Sequence, residues 1–316
     1  MVEIERSLGV LYLDRGLTAE AEAQLRPGLA LALELHGPNH PSTLAVRRQL
    51  GLTYLQLGRL TEAEQALRAQ HGPTEATLGP QHRETGLSLD ALGRLALERD
   101  DTAAATAAFG RAVAIWRQPD GRHLLDYGLA DLSLALQAGG DIAAARGVLE
   151  EARRVRAIRL GASHPAVGDL DRMMGELLLD AGDIGAARPW LGRAAQLTRV
   201  GYGADDPRTL QAQLALARLQ SAQHGADDSV APLQRFSAAL PADASLAALR
   251  WEAQAYTAQS RCQPGAARAG ERELQALEAE LRSARPEGGR LSREVAALAA
   301  SCHARLNGVA SNAVAH

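Results

Sequence analysis

The chain has 316 residues, 46% of them hydrophobic, and a net charge of −3, enough for one large domain or two small ones and without a global basic field to draw in nucleic acid. Aromatic residues make up only 3%, and all 34 basic residues are arginine. The core must therefore be mostly Leu and Ala, which favours helix. The opening "MVEIERSLGV" carries acids and no apolar stretch of a signal peptide, and no run approaches the ~18 uncharged residues of a membrane span.

Taken in chain order, the first element is a helix that starts at Met1 with no N-terminal cap, as a cut in a longer array would. A corner follows, "LHGPNHPSTL" at 35–44, with His36 and His40 around a Gly-Pro turn. Residues 43–58 read as a helix stopped by Gly58. The next helix, 61–70, has Thr61 as N-cap and Glu64 at the capping-box spacing. Gly72-Pro73 should end or bend it and leave 72–81 as a loop or short turn. Later corners are "LGPQHRETGL" at 78–87, "PDGRHLLDYG" around Gly121, "LGASHPAVGDL" at 160–170 and "YGADDPRTL" at 202–210. The turns "GDIAAAR" (140–146) and "GDIGAAR" (182–188) pair a Gly stop with an Asp cap, and Pro189 should kink the helix after the second.

The corners recur about every forty residues, and the segments between them keep register. One track is Leu8, Leu50, Leu92, Leu132, Met174 and Leu216, each followed by a small residue: Gly9, Gly51, Gly93, Ser133, Gly175 and Ala217. A second is Ala21, Ala63, Ala105, Ala145, Ala187 and Ser229. Four residues further on stand Leu25, Leu67, Phe109, Leu149, Leu191 and Leu233. All tracks advance together, so each unit is a pair of helices whose small residues permit close approach, and stacked units bury what one hairpin cannot.

The motifs "LGVLY" and "LGLTY", the Gly turn, the Ala and the large apolar residue resemble the tetratricopeptide repeat. The 42-residue spacing and the G-x-x-H-P corner are similar to the long repeats of the kinesin light chain family and its bacterial relatives. The resemblance covers roughly residues 1–240. It implies an all-α fold, a right-handed superhelical solenoid of antiparallel helix hairpins, and a role in protein–protein interaction. That family also carries an Asn just before the Leu-small pair, able to bind a peptide backbone; here the position holds Ser7, Gln49, Ala91, Asp131, Met173 and Ala215. Residues 241–307 read as a degenerate repeat plus a closing helix, and 308–316 as a flexible tail.

Chemistry is mostly excluded. His40, His82, His123 and His164 occupy equivalent corners, ~15–20 Å apart if each unit adds two helix layers, too far to share a metal. His36 and His40 lack a third ligand, so no metal or cofactor is expected. Cys262 and Cys302, nearly one repeat apart, are read as buried small hydrophobes forming no disulfide framework. No G-x-S-x-G occurs, and "GYG" at 201–203 follows no strand. Asp205-Asp206 and Asp227-Asp228 are read as solvated turn residues. The remaining candidate surface is the first-helix face, where residues three before and one after the small position share one side. Arg6, Arg48, Arg94, Arg172 and Arg218 recur there, either in local ion pairs such as Asp90–Arg94 and Arg172–Glu176 or as a track for an acidic peptide.

The expected function is a non-catalytic scaffold or adaptor with a concave groove for a protein or peptide partner, possibly an acidic one, without nucleic acid or membrane insertion. The alternative is a regulatory or sensor segment of a larger bacterial signalling protein, such as a serine/threonine kinase with trailing repeats. The compartment is cytoplasmic in the first reading and extracytoplasmic if the chain belongs to a membrane-anchored protein.

Overall fold

The computed structural model describes residues 2–223, 229–263 and 266–314. Among them are fifteen α-helices and no strand. They divide into two compact units, Met1–Val155 and Arg156–His316. Unit 1 contains α1 (Val2–Asp14), α2 (Thr18–His36), α3 (Pro41–Gln56), α4 (Leu60–Leu78), α5 (Arg83–Glu98), α6 (Thr102–Trp116) and α7 (Leu125–Ala138), and the boundary falls within α8 (Ile142–Leu160). Unit 2 continues with α9 (Pro165–Asp180), α10 (Ile184–Tyr202), α11 (Pro207–Gln223), α12 (Ala231–Ala239), α13 (Ala247–Ser260), α14 (Ala267–Ala284) and α15 (Arg290–Val314). The architecture is an all-α repeat of helical hairpins. The last helix continues through residues 308–314, set aside above as a tail.

The repeat register is what packs. Every residue of the Ala track is buried, and so is every residue of the large apolar track from Leu25 to Leu233. In four hairpins the glycine of the first helix (Gly9, Gly51, Gly93 and Gly175) faces the large residue of the second: a Cβ added to Gly51 would lie 2.6 Å from Leu67 Cδ2, and one on Gly93 would lie 2.7 Å from Phe109 Cε1. Chain reversals follow a second rhythm. Gly37, Gly79, Gly161 and Gly203 sit at positive φ at the corners, and Gly16, Gly58, Gly140 and Gly182 at the turns inside hairpins. Asp100, at φ 65°, takes the place of glycine in the third hairpin.

Three local expectations change. Thr61 does not cap its helix: α4 starts at Leu60 with Arg59 as the cap residue, so Thr61 lies inside the first turn. Gly72-Pro73 does not end that helix, which runs unbroken to Leu78. Pro73 has no N–H for the Ala69 carbonyl four residues back, and that oxygen instead accepts from Arg47 Nη1 on α3 at 3.3 Å. The proline thus costs one backbone bond that a neighbouring helix replaces. Pro189 likewise lies within a continuous α10.

The third and largest correction concerns the cysteines. Cys262 and Cys302 form a disulfide, with Cα atoms 5.3 Å apart. They are buried, as expected, but joined rather than separate: α13 packs on α15, so positions about one period apart become neighbours.

Candidate partner-binding site

Within unit 1 the first helices α1, α3, α5 and α7 touch in succession. Arg6 on α1 is held by Glu3 of its own first turn, 2.7 Å away. Arg48 on α3 reaches only as far as Glu84 on α5, at 3.8 Å, and its Nε is buried without a hydrogen-bond partner. Burial lowers its pKa, Glu84 and Asp90 oppose that, and the positive charges of Arg6 and Arg94 add to it. Arg94 on α5 pairs with Asp90 one turn back, at 3.0 Å, and with Asp131 on α7. Asp131 is pushed up to about 7, first by burial and, against the pull of Arg94, by Asp90. One Oδ of Asp90 is itself buried without a partner.

Within unit 2 the same positions bear Arg172 on α9, paired with Glu176, and Arg218 on α11, paired with Asp180 at 2.7 Å. Arg218 also lies over the Tyr256 ring, 3.8 Å from its centroid, an arrangement that stabilises the cation. Tyr256 donates its hydroxyl hydrogen to Glu294 on α15 at 2.7 Å. Burial works against the Arg218 charge, while Tyr256, Asp180 and Glu176 hold its pKa above the ordinary arginine value. Burial raises Glu252 and Asp180, each opposed first by an arginine, Arg290 and Arg218.

Each of the five arginines therefore faces a carboxylate. The structure brings Arg6, Arg48 and Arg94 together in unit 1, and places Arg172 and Arg218 on adjacent helices of unit 2. Sequence reasoning missed Tyr256. It stands one 42-residue step beyond Leu214, at the same register position as Arg6, Arg48 and Arg172. Carrying the register past residue 240 would have found it.

Three of the four corner histidines are helix caps, while His123 lies inside a 3-10 turn, Pro119–Leu124. Nδ1 of His40, His82 and His164 accepts the backbone N–H two residues on, each at 3.2 Å, and Asp206 does the same for α11 at 2.9 Å. Their imidazoles thus perform the work of the usual Ser, Thr or Asp cap. The His36 and His40 rings stack with centroids 4.6 Å apart. Among the described residues no three His, Cys, Asp or Glu side chains are grouped to hold a metal. Asp227-Asp228 lies outside those residues.

One arrangement has the outline of a nucleophile and base. His71 Nδ1 is 2.7 Å from Ser88 Oγ, and its Nε2 is 3.7 Å from Glu75. Ser88 is fully buried, and its hydroxyl also bonds the Thr85 carbonyl at 2.8 Å. A substrate could not reach it, so the group ties α4 to α5.

Residues 1–69 and again 129–166 match the tetratricopeptide repeat. No curated protein sequence matches the chain. Among solved structures, a putative kinesin light chain from Podospora anserina with nearly identical TPR-like repeats aligns over 63% of this chain and 95% of its own, with 21% identity and a TM-score of 0.50. A Rap protein complexed with Competence and Sporulation Factor aligns over 98% of each chain at 12% identity and a TM-score of 0.58. The apo form of RapI aligns over 97% of this chain and 98% of its own at 9% identity and a TM-score of 0.54. With the 42-residue register packed as described, the chain is a tetratricopeptide-repeat protein with repeats like those of the kinesin light chain.

Proposed function

We propose that the chain is a non-catalytic interaction scaffold whose first-helix faces form concave partner-binding grooves. The supporting observation is the recurrence of Arg6, Arg48, Arg94, Arg172 and Arg218 at matched register positions, each beside a carboxylate. Such a surface is charged but already neutralised. A partner gains by exchanging its own carboxylates for the internal ones, and planar guanidinium forks reward that exchange with paired hydrogen bonds. Arg48 is the best placed to accept one, because its internal partner is distant and its Nε is unmatched. The fold itself suits the role: a Rap protein of the same fold is complexed with Competence and Sporulation Factor.

The test is a crosslinking pull-down with the intact chain, followed by calorimetry on the captured partner. Arg48→Ala combined with Arg172→Ala should weaken binding about tenfold or more, and added salt should weaken wild-type binding. Unchanged affinity would remove the arginine track.

The disulfide supports a second reading, a sensor segment of a larger signalling protein held outside the membrane. Disulfides persist in oxidising compartments and are rare in the cytosol. The upstream gene sequence would reveal a kinase domain and a membrane span. Free Cys262 and Cys302 thiols in protein taken from its own cells would count against this placement.

A further inference from the structure

The first helices of unit 2 are not held alike. α11, packed between α10 and α12, buries Leu214, Ala215, Ala217, Leu219 and Ser221 over its second half. α15 packs on α13 and α14, and its burial is uneven. Leu291 and Val295 belong to the apolar cluster of Leu274, Leu277 and Leu281, and Glu294 accepts from the Tyr256 hydroxyl at 2.7 Å. Past Val295, among the described side chains of residues 296–306, Cys302 is the one that is buried. His303 meets Glu271 on α14 at 2.6 Å, but the histidine is exposed, and such surface pairs contribute little.

Cys302 reaches the place where three helices meet. Its partner Cys262 stands just past Ser260, the last residue of α13. The Cys302 sulfur lies 3.5 Å from the Ala267 carbonyl oxygen at the start of α14, and a Cβ on Gly270 of α14 would come within 2.9 Å of the Cys262 sulfur. The bond therefore ties the second half of α15 to the end of α13, with the first turn of α14 pressed against both sulfurs. A helix end with one small buried side chain frays unless something ties it down. We propose that the Cys262–Cys302 bond is a redox latch: closed, it fixes residues 296–306 against α13 and α14; opened by a dithiol reductant, it lets that half of α15 fray while the half bearing Leu291 and Val295 stays packed. The inference is independent of the scaffold reading and adds a regulated element to unit 2.

Opening is a thiol–disulfide exchange. A thiolate of the reductant attacks one sulfur and forms a mixed disulfide, and the other cysteine leaves as a thiolate that takes up a proton. The second thiol of the reductant then displaces the first cysteine. The reductant gives up two electrons and two protons and ends as a disulfide, and both cysteines end as thiols. Both sulfurs belong to buried residues, so attack waits on local opening around Cys262. The latch then responds to a lasting change of redox state and not to a brief one.

The test follows hydrogen exchange by mass spectrometry in the intact chain: oxidised, reduced, and carrying Cys262→Ala with Cys302→Ala. Reduced wild type keeps both side chains, so it separates the bond from the packing and carries the test should the double variant fail to fold. Without the bond, exchange within 296–306 should quicken at least about tenfold, while α9 to α11 stay as in the oxidised protein. Trypsin should also cut after Arg305 faster in the bond-free forms. Equal exchange in 296–306 with and without the bond overturns the latch. So does acceleration spread evenly over α11 to α15, because the bond would then hold the whole end of the array. A second arm incubates the folded, oxidised chain with dithiothreitol in native buffer and counts thiols by alkylation. Both cysteines should become alkylated. A bond that opens only in denaturant is a fixed staple, and that result overturns the switch.

Discussion

Gly175 and Leu191 show how little room a hairpin leaves. A Cβ on Gly175 would come within 2.4 Å of the Leu191 side chain and 3.3 Å of its backbone nitrogen, so the contact cannot be relieved by one methyl group turning aside. Ala63 is equally confined in the second hairpin, with no exposed surface. Ala63→Leu should cost about 1–3 kcal/mol by overpacking; a denaturation midpoint equal to that of wild type would show that the register is misplaced. Asp131 poses an electrostatic question. Its folded pKa is raised from the usual 3.8 to about 7, so over that range the folded chain holds a proton that the unfolded chain has released. Its contribution to stability is full below this window and lost as pH rises through it. Asp131→Asn should flatten that loss. The advantage of wild type over the variant in urea midpoint should therefore shrink between about pH 5 and about pH 8, and a pH-independent difference would contradict the assignment.

At the scale of the helix, the histidine caps explain how the corners hold. In α9, His164 caps and Pro165 sets the first turn. His164→Ala should cost about 0.5–2 kcal/mol and His164→Asn much less, since asparagine restores the acceptor; equal losses in thermal unfolding would mean that the cap adds nothing. The corners, the hairpins and the four packing tracks were legible in the sequence because they depend on local periodicity and on glycine's access to positive φ. What escaped depended on neighbours. Pro73 looks like a break in sequence because its own helix loses a bond there, and Arg47, on another helix, supplies the replacement. Two cysteines without a CxxC pair carry no local sign of pairing, and it is the packing of α13 on α15, one period apart in sequence, that sets Cys262 beside Cys302. The arginine positions were legible and their partners only partly so. Asp90 and Glu176 lie one turn away on the same helix, whereas Glu84 and Asp131 reach across from the following repeat and Asp180 from the preceding one.

At the scale of the molecule, repeats contact chiefly their neighbours, so stability is close to a sum of hairpin terms and interface terms. The two compact units fit that expectation, and the closing hairpin has its own apolar cluster around Leu274, Leu281 and Val295 besides its disulfide. A defect should therefore spread by steps and fade. In Ala63→Leu protein, hydrogen exchange read by mass spectrometry should quicken most in α3 and α4. It should quicken less in α2 and α5, which pack against them, and change little in α13 to α15. The lost protection in the second hairpin should approach the overpacking cost of about 1–3 kcal/mol. Uniform acceleration along the whole chain would mean that the array unfolds as one cooperative body. A substitution at any hairpin would then unsettle every groove at once, and binding losses in the Arg48 and Arg172 variants could no longer be assigned to contact with a partner.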